Sequence, residues 1–307
     1  MKIIFDPTEP IGFLTSATIG IFDGVHLGHK KIINYVKEEA MRKGISPCVI
    51  TFHPHPQKVL RGIDIPLIVP FRERLRLLEK EGIEITVCYN FTREFAQISA
   101  KDFVTNILVK TIGIKSLFVG PDFFFGRKRE GNVNLLEQMG KLYDFDIKVV
   151  QPVSINGEVV SSTAIRSSIE EGLMRKCAKF LGYHFYIEGK VKEGEKRGRK
   201  IGFPTANLDT DWELFPKKGV YATLAHVEGK RFESITNVGI RPTFNANQLL
   251  IETHIFDFNG DIYGKQIKIE FIERLRDERK FESASALAAQ IAKDVEKAKE
   301  VLSELSE

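Results

Sequence analysis

The 307-residue chain has few cysteines, one tryptophan and almost no net charge. Its three cysteines, Cys48, Cys88 and Cys177, are odd in number, far apart and without a CxxC pair. That excludes a disulfide framework and predicts a reducing, cytoplasmic setting. No apolar run approaches the roughly 18 residues that a membrane span needs. Met1-Lys2-Ile3-Ile4-Phe5-Asp6 also meets a carboxylate too early for a signal-peptide core, so no membrane partner is expected. No Gly-Lys pair is followed by Ser or Thr, which excludes a P-loop, and the protein-kinase motif set is missing as well. A formal net charge of +4 suits anionic small molecules and is too weak to imply a nucleic-acid partner.

What is present is enough chain for two domains, each with its own core. Up to about residue 180, short β-branched runs alternate with helical patterns. Strands are expected at 18–22, 47–52, 84–89, 115–120 and 146–150. A helix carrying Ile32, Ile33, Val36 and Ala40 closes at Gly44, and another spans 71–82. This alternation predicts a doubly wound α/β domain with a parallel sheet. Beyond Gly182, strands follow one another at 185–191, 220–228, 232–238, 249–256 and 266–274. A helix then begins near Ala284 with Leu287, Ile291, Val295, Ala298 and Leu302 on one face. That order predicts an antiparallel β-barrel or sandwich capped by a helix. The expected domains are 1–182 and 183–307.

Two glycine-rich stretches carry phosphate chemistry, and they share no pattern. The first is Gly20-Ile21-Phe22-Asp23-Gly24-Val25-His26-Leu27-Gly28-His29. It runs from a strand into a helix, where Gly24 and Gly28 permit close backbone approach and the helix start favours an anion. His26 and His29, three residues apart, share a face and can stabilise charge on a reacting phosphoryl group. The second is the basic stretch from Gly194 to Asn207, which includes Gly198, Arg199 and Gly202. Its Thr205 and Asn207 alternate along an extended segment, so both can face one Mg²⁺ and its phosphate oxygens. Ser161 or Ser162 can cap a following helix, and Arg166 offers a planar fork to a phosphate. His53 and His55 join His26 and His29 to put four of the seven histidines within thirty residues. That makes zinc a rival reading, although no tetrahedral partner set accompanies them.

The first stretch resembles the HxGH signature of nucleotidylyltransferases, in the extended form GxFDGVHxGH of bacterial FMN adenylyltransferases. Thr51-Phe52-His53-Pro54-His55-Pro56 is similar to that family's FxPHP loop. Gly120-Pro121-Asp122-Phe123-Phe124-Phe125-Gly126 is similar to its GxDFxFG flavin-side motif, and Ser161-Ser162-Thr163-Ala164-Ile165-Arg166 to its SSTxIR segment. The second stretch resembles the riboflavin kinase signature containing PTAN. Pro216 to Tyr221, Asn237 to Phe244 and Glu252 to Phe258 match PxxGVY, NxGxRPTF and ExHxFDF in order. Together these stretches resemble the bacterial bifunctional riboflavin kinase/FMN adenylyltransferase family over nearly the whole chain.

The resemblance implies phosphorylation of riboflavin to FMN, followed by adenylylation of FMN to FAD with release of pyrophosphate. ATP is then the co-substrate, and Mg²⁺ is held at Thr205 and Asn207. Glu252 becomes the general base of the kinase, and His26, His29 and Arg166 the catalytic residues of adenylyl transfer. Gly20, Phe22, Asp23, Gly24, Gly28, Pro54, Asp122, Phe125, Ser161, Ser162 and Thr163 become nucleotide or flavin contacts on the N-terminal side. Gly198, Arg199, Gly202, Thr205 and Asn207 take that role in the kinase. The basic run Arg127-Lys128-Arg129 is expected to be a solvated turn. A monomer or weak homo-oligomer working on flavins and ATP is expected. The alternatives are an FAD synthetase with a vestigial kinase and a flavin- or RNA-binding regulator.

Overall fold

The structure is a computed structural model that describes residues 1–194, 198, 201–242 and 247–305. Contacts divide the chain into two units, Met1–Ser162 and Thr163–Glu307.

In the first unit a six-stranded sheet is built from β1 (Lys2–Phe5), β2 (Thr15–Ile19), β3 (Ser46–His53), β4 (Ile85–Asn90), β5 (Ile114–Val119) and β6 (Asp146–Val149). The order is β1-β4-β3-β2-β5-β6, and every pairing is parallel. The connections carry α1 (Leu27–Lys43), α2 (Pro56–Arg61), α3 (Phe71–Lys80), α4 (Ala100–Asp102), which runs on as a π-helical stretch Phe103–Thr111, and α5 (Val133–Tyr143). Both faces of the sheet are covered. Ala17, Ile19, Cys48 and Ile50 pack with Leu136 and Met139 on one side. Val49 packs with Ile33 and Leu78 on the other, as alternation along a strand requires. The chain winds outward from β2 through β3 to β4, then restarts beside β2 at β5. The loops after β2 and β5 therefore leave neighbouring strands at the switch point, where open α/β sheets bind ligands.

One expected strand is displaced. β2 runs from Thr15 to Ile19 and stops before Gly20, because Phe22 (φ 56°), Gly24 (φ 77°) and Val25 (φ 38°) are left-handed and cannot extend the strand. Three of its five residues, Thr15, Ser16 and Thr18, are polar yet wholly buried, which hides the strand from a hydrophobic-pattern reading. The end of α1 is as expected: Gly44 (φ 65°) is its left-handed cap, following Arg42 and Lys43.

A short hairpin, β7 (Ser154–Ile155) and β8 (Glu158–Val159), precedes α6 (Ser162–Glu171) and α7 (Met174–Leu181). The second unit then closes a barrel from β9 (Tyr186–Lys192), β10 (Ala206–Asp209), β11 (Gly219–Val227), β12 (Lys230–Pro242), β13 (Asn247–Ile255) and β14 (Gln266–Arg276). Its order is β10-β13-β12-β11-β14-β9, antiparallel throughout. On the outer wall Val220, Ala222, Leu224 and Ile235 pack with Ile291, Val295, Ala298 and Leu302 of α8 (Ala284–Ser303). Buried Asp294 on α8 takes a bidentate grip from Arg276 at 2.7–3.0 Å, which pins helix to strand. On the opposite face of β11 and β12, Thr223, Ser234 and Thr236 are wholly buried, as is Thr253 of β13. They satisfy one another through hydroxyl contacts of 2.8–2.9 Å. The helices α6 and α7 belong with the barrel: Lys217 N–H donates to Ile169 C=O at 3.2 Å, and Arg175 bridges Glu273 and Glu304.

Candidate active sites

The first site is built where β2 hands over to α1. The left-handed turn at Phe22–Val25 brings His26 into the N-cap position, where its Nδ1 accepts from His29 N–H at 3.4 Å. No acidic side chain lies in the first turn of α1, so the positive end of the helix stays unneutralised. The two imidazoles stack at 3.6 Å and 20°, and His29 also meets the Phe22 ring at 4.9 Å. Gly28 leaves room for that stack: a Cβ there would stand 3.1 Å from the His26 ring, which would have to give by a few tenths of an ångström. Burial, then His26 and Arg74, hold the His29 pKa well below the ordinary imidazole value. Its Nδ1 is buried with no hydrogen-bond partner among the described residues.

Asp23 is buried, and its carboxylate faces backbone. Its two oxygens accept from Ile68 N–H at 3.0 and 3.1 Å, and one also accepts from Val69 N–H at 3.4 Å. Its carbonyl accepts from Ser162 Oγ at 3.1 Å, which holds Ser162 at the histidine loop within the first unit. Gly20 N–H donates to Ile50 C=O at 3.0 Å, fixing the loop to β3. Thr163 and Arg166 follow Ser162 along α6. The four histidines diverge: His53 stacks on Phe71 at 4.6 Å, while His55 caps α2 by accepting from Gln57 N–H at 3.2 Å. Among the described residues no group of three or more His, Cys, Asp or Glu could hold a metal.

The loop after β5 holds Asp122 exposed and Phe125 buried. Phe125 packs against Phe103 and Phe123, and its backbone pairs with Gly131 in both directions, so it supports the loop from below. Phe124 is exposed, with the Arg129 guanidinium 4.7 Å over its ring. The basic run is thus a short turn folded back on an aromatic face. Pro54 follows a cis peptide bond at the carboxyl end of β3.

The second site lies on the barrel wall. β10 sets Asn207 opposite Glu252 of β13, and β12 sets Asn237 opposite Glu252 from the other side. Directly opposed residues project to the same face, so amide, carboxylate and amide form one row. Pro204 C=O accepts from His254 at 2.8 Å, and Phe203 meets that ring edge-on at 5.4 Å, which seats Thr205 beside the row. Phe203 N–H donates to Gly198 C=O at 2.9 Å, and Gly202 (φ 88°) makes the turn between them. Arg199 lies outside the described residues, as do Lys196, Arg197 and Lys200 of the basic hairpin and Thr243 and Phe244 of the NxGxRPTF stretch.

Residues 13–164 match the family model for FAD synthetase, and residues 181–302 match that for riboflavin kinase. A curated relative from Buchnera aphidicola, a bifunctional riboflavin kinase/FMN adenylyltransferase, is 36% identical over 301 residues and covers 96% of each chain. The chain belongs to this bifunctional family. The family's Escherichia coli (strain K12) enzyme of the same description is 37% identical over 279 residues, covering 90% of this chain and 89% of the relative. A solved structure from Streptococcus pneumoniae, described as a macrolide-efflux protein, superposes with a TM-score of 0.88 at 29% identity over 97% of this chain and 99% of that one. That description names a transport role and the likeness concerns the fold. No helix among the described residues is long and apolar enough to cross a membrane.

Three residues beside the sites were not singled out by sequence reasoning. Asn237 and His254 lie inside motif stretches but carry no chemistry until strand pairing places them next to Glu252 and Pro204. Arg74 is the third; on sequence it is one more charged residue of an amphipathic helix. In the structure it is 2% exposed and donates to Ile21 C=O and to Phe52 C=O, the latter at 3.2 Å. Burial pulls its pKa down to about 10, with Asp23 opposing the shift.

Proposed function

We propose that this chain phosphorylates riboflavin to FMN on the barrel, within residues 183–307, and adenylylates FMN to FAD at the histidine loop within residues 1–182. Helices α6 and α7, inside that second range, pack with the barrel unit, which begins at Thr163. The observation that carries the reading is the row Asn207–Glu252–Asn237, which brings residues of three motifs spread over 45 residues onto one face. In the kinase step Glu252 accepts the proton of the riboflavin 5′-hydroxyl as its oxygen attacks the γ-phosphorus of ATP, and the bond to ADP breaks. Thr205 and Asn207 offer one hydroxyl and one amide oxygen. Such a hard, sparse donor set suits a Mg²⁺ ion whose other ligands are water and ATP phosphates, and when bound the ion neutralises phosphate charge.

In the adenylyl step an FMN phosphate oxygen attacks the α-phosphorus of a second ATP and pyrophosphate leaves, with no covalent enzyme intermediate. The helix start, His26, His29 and Arg166 offset the charge that develops. Gly20, Phe22, Asp23, Gly24, Gly28, Pro54, Asp122, Phe125, Ser161, Ser162 and Thr163 supply the nucleotide and flavin contacts. No nucleic acid or membrane takes part, and the enzyme works in the cytoplasm as a monomer or weak homo-oligomer.

The test is chromatography of products from riboflavin, ATP and Mg²⁺, with parallel reactions started from FMN. FMN followed by FAD is expected. FAD from FMN alone would make the kinase half vestigial, and no flavin nucleotide in either reaction would refute the proposal. Glu252→Gln should abolish FMN formation and leave FMN-to-FAD conversion near normal. His29→Ala should do the reverse.

A further inference from the structure

Arg74 is expensive to keep where it is. A guanidinium buried to 2% exposure loses its hydration, and an apolar side chain of similar volume would cost less if only packing mattered. Its Nε is also buried without a hydrogen-bond partner among the described residues. Its contacts explain what the charge secures. One arm of the guanidinium holds Ile21 C=O, in the loop that delivers His26 and His29; the other holds Phe52 C=O, at the end of β3 beside His53-Pro54-His55. The guanidinium carbon lies 4.8 Å from the Phe71 ring centroid, and Phe71 in turn stacks on His53. A planar fork can hold two carbonyls at a fixed separation, which an ammonium on a flexible stem cannot do equally well.

We propose that Arg74 is a positioning residue for adenylyl transfer, tying the carboxyl ends of β2 and β3 together and supplying a fixed positive charge beneath the histidine loop for the ATP polyphosphate. The inference rests on the adenylyltransferase reading of the first site. By its geometry it acts on how the reacting groups are held, so it should appear mainly in kcat.

The experiment uses the full chain with Arg74→Met and Arg74→Lys. Each variant is assayed for FAD formation from FMN and ATP and for riboflavin phosphorylation, with thermal unfolding followed by far-UV circular dichroism. Arg74→Met should lower kcat for FAD formation about tenfold to a hundredfold, the scale expected when positioning groups move by about an ångström. The KM for FMN and the kinase rate should stay near wild type. Arg74→Lys keeps the charge but not the two-armed tie, so it should fall between Met and wild type. Wild-type kcat in either variant would overturn the proposal, and so would a folded Lys variant no better than Met. If Arg74→Met fails to fold, Arg74→Lys decides alone: a lowered kcat at unchanged KM supports the proposal, and an unchanged kcat overturns it. A wild-type chain that makes no FAD would overturn the adenylyltransferase reading and this inference with it; the variant outcomes leave that reading standing.

Discussion

Asp23 offers the sharpest test of how the histidine loop is held. The residue is 2% exposed and serves two buried backbone donors, Ile68 N–H at 3.0 and 3.1 Å and Val69 N–H at 3.4 Å. Asp23→Ala strands both donors and removes the carboxylate that offsets Arg74. A buried group left unpaired costs about 1–3 kcal/mol, and the Val69 bond is long, so the loss should be about 3–4 kcal/mol. Asp23→Asn keeps one acceptor oxygen and should lose about 1–2 kcal/mol. The single tryptophan simplifies the assay, because Trp212 lies buried in the second unit and reports the barrel alone. In urea, the circular-dichroism transition of Asp23→Ala should shift down by about 1.5–2 M at an m-value of about 2 kcal/mol/M, while the Trp212 fluorescence transition stays in place. Circular-dichroism midpoints for both variants within about 0.3 M of wild type would refute the idea that this carboxylate holds segment 68–69.

Other expectations concern the stack, the pH response and the second unit. Gly28→Ala places a Cβ 3.1 Å from the His26 ring without a left-handed penalty. FAD formation should fall about tenfold with unfolding nearly unchanged, and full activity would show that the stack can shift freely. The folded pKa of His29 lies below its unfolded value near 6.5, so the unfolded chain binds the extra proton. Its contribution to stability is therefore complete above about pH 6.5 and is lost as pH falls from there toward the folded value. His29→Gln should flatten that loss, and identical stability–pH slopes for variant and wild type would contradict it. A fragment starting at Thr163 should be more stable than one starting at Tyr183, because α7 buries Met174, Cys177, Phe180 and Leu181. Each such side chain is worth up to about 1.5–3 kcal/mol, and equal Trp212 transitions for the two fragments would argue against this packing.

The alternation of strands and helices, the Gly44 cap and the apolar stripe of α8 were legible because each is a local pattern with its own period. β2 was misplaced for the opposite reason: a central strand buried on both faces needs no alternation, and here it spends Thr15, Ser16 and Thr18 on buried positions. β10 reads as only four residues, Ala206–Asp209, and exists as a strand because β9 and β13 flank it. The site residues divide in the same way. His26, Gly28 and His29 act through one helix turn, so their spacing states their relation. Glu252 and Asn207 are linked by strand pairing alone, and only motif resemblance brought them together before the fold did.

Asp23 and Arg74 show where reading side-chain chemistry from sequence stops. A carboxylate in a glycine-rich loop reads as a ligand for substrate, and an arginine on an amphipathic helix reads as a solvated charge. Both are instead occupied with main-chain groups from distant segments: Asp23 with the N–H groups of Ile68 and Val69, Arg74 with the carbonyls of Ile21 and Phe52. Backbone groups leave no mark in the sequence, since every residue but proline offers the same donor and acceptor. A partner of this kind becomes visible only when the fold decides which carbonyls and amides are left over at the ends of strands. In this chain those ends are also where phosphate chemistry is expected, so the charges that finish the backbone and the charges that serve the reaction lie within electrostatic reach of one another. Arg74 acts on Asp23 and on His29 alike. A single substitution at either charged residue should therefore change both stability and adenylyl transfer, and the ratio of the two effects is what separates a structural role from a positioning one.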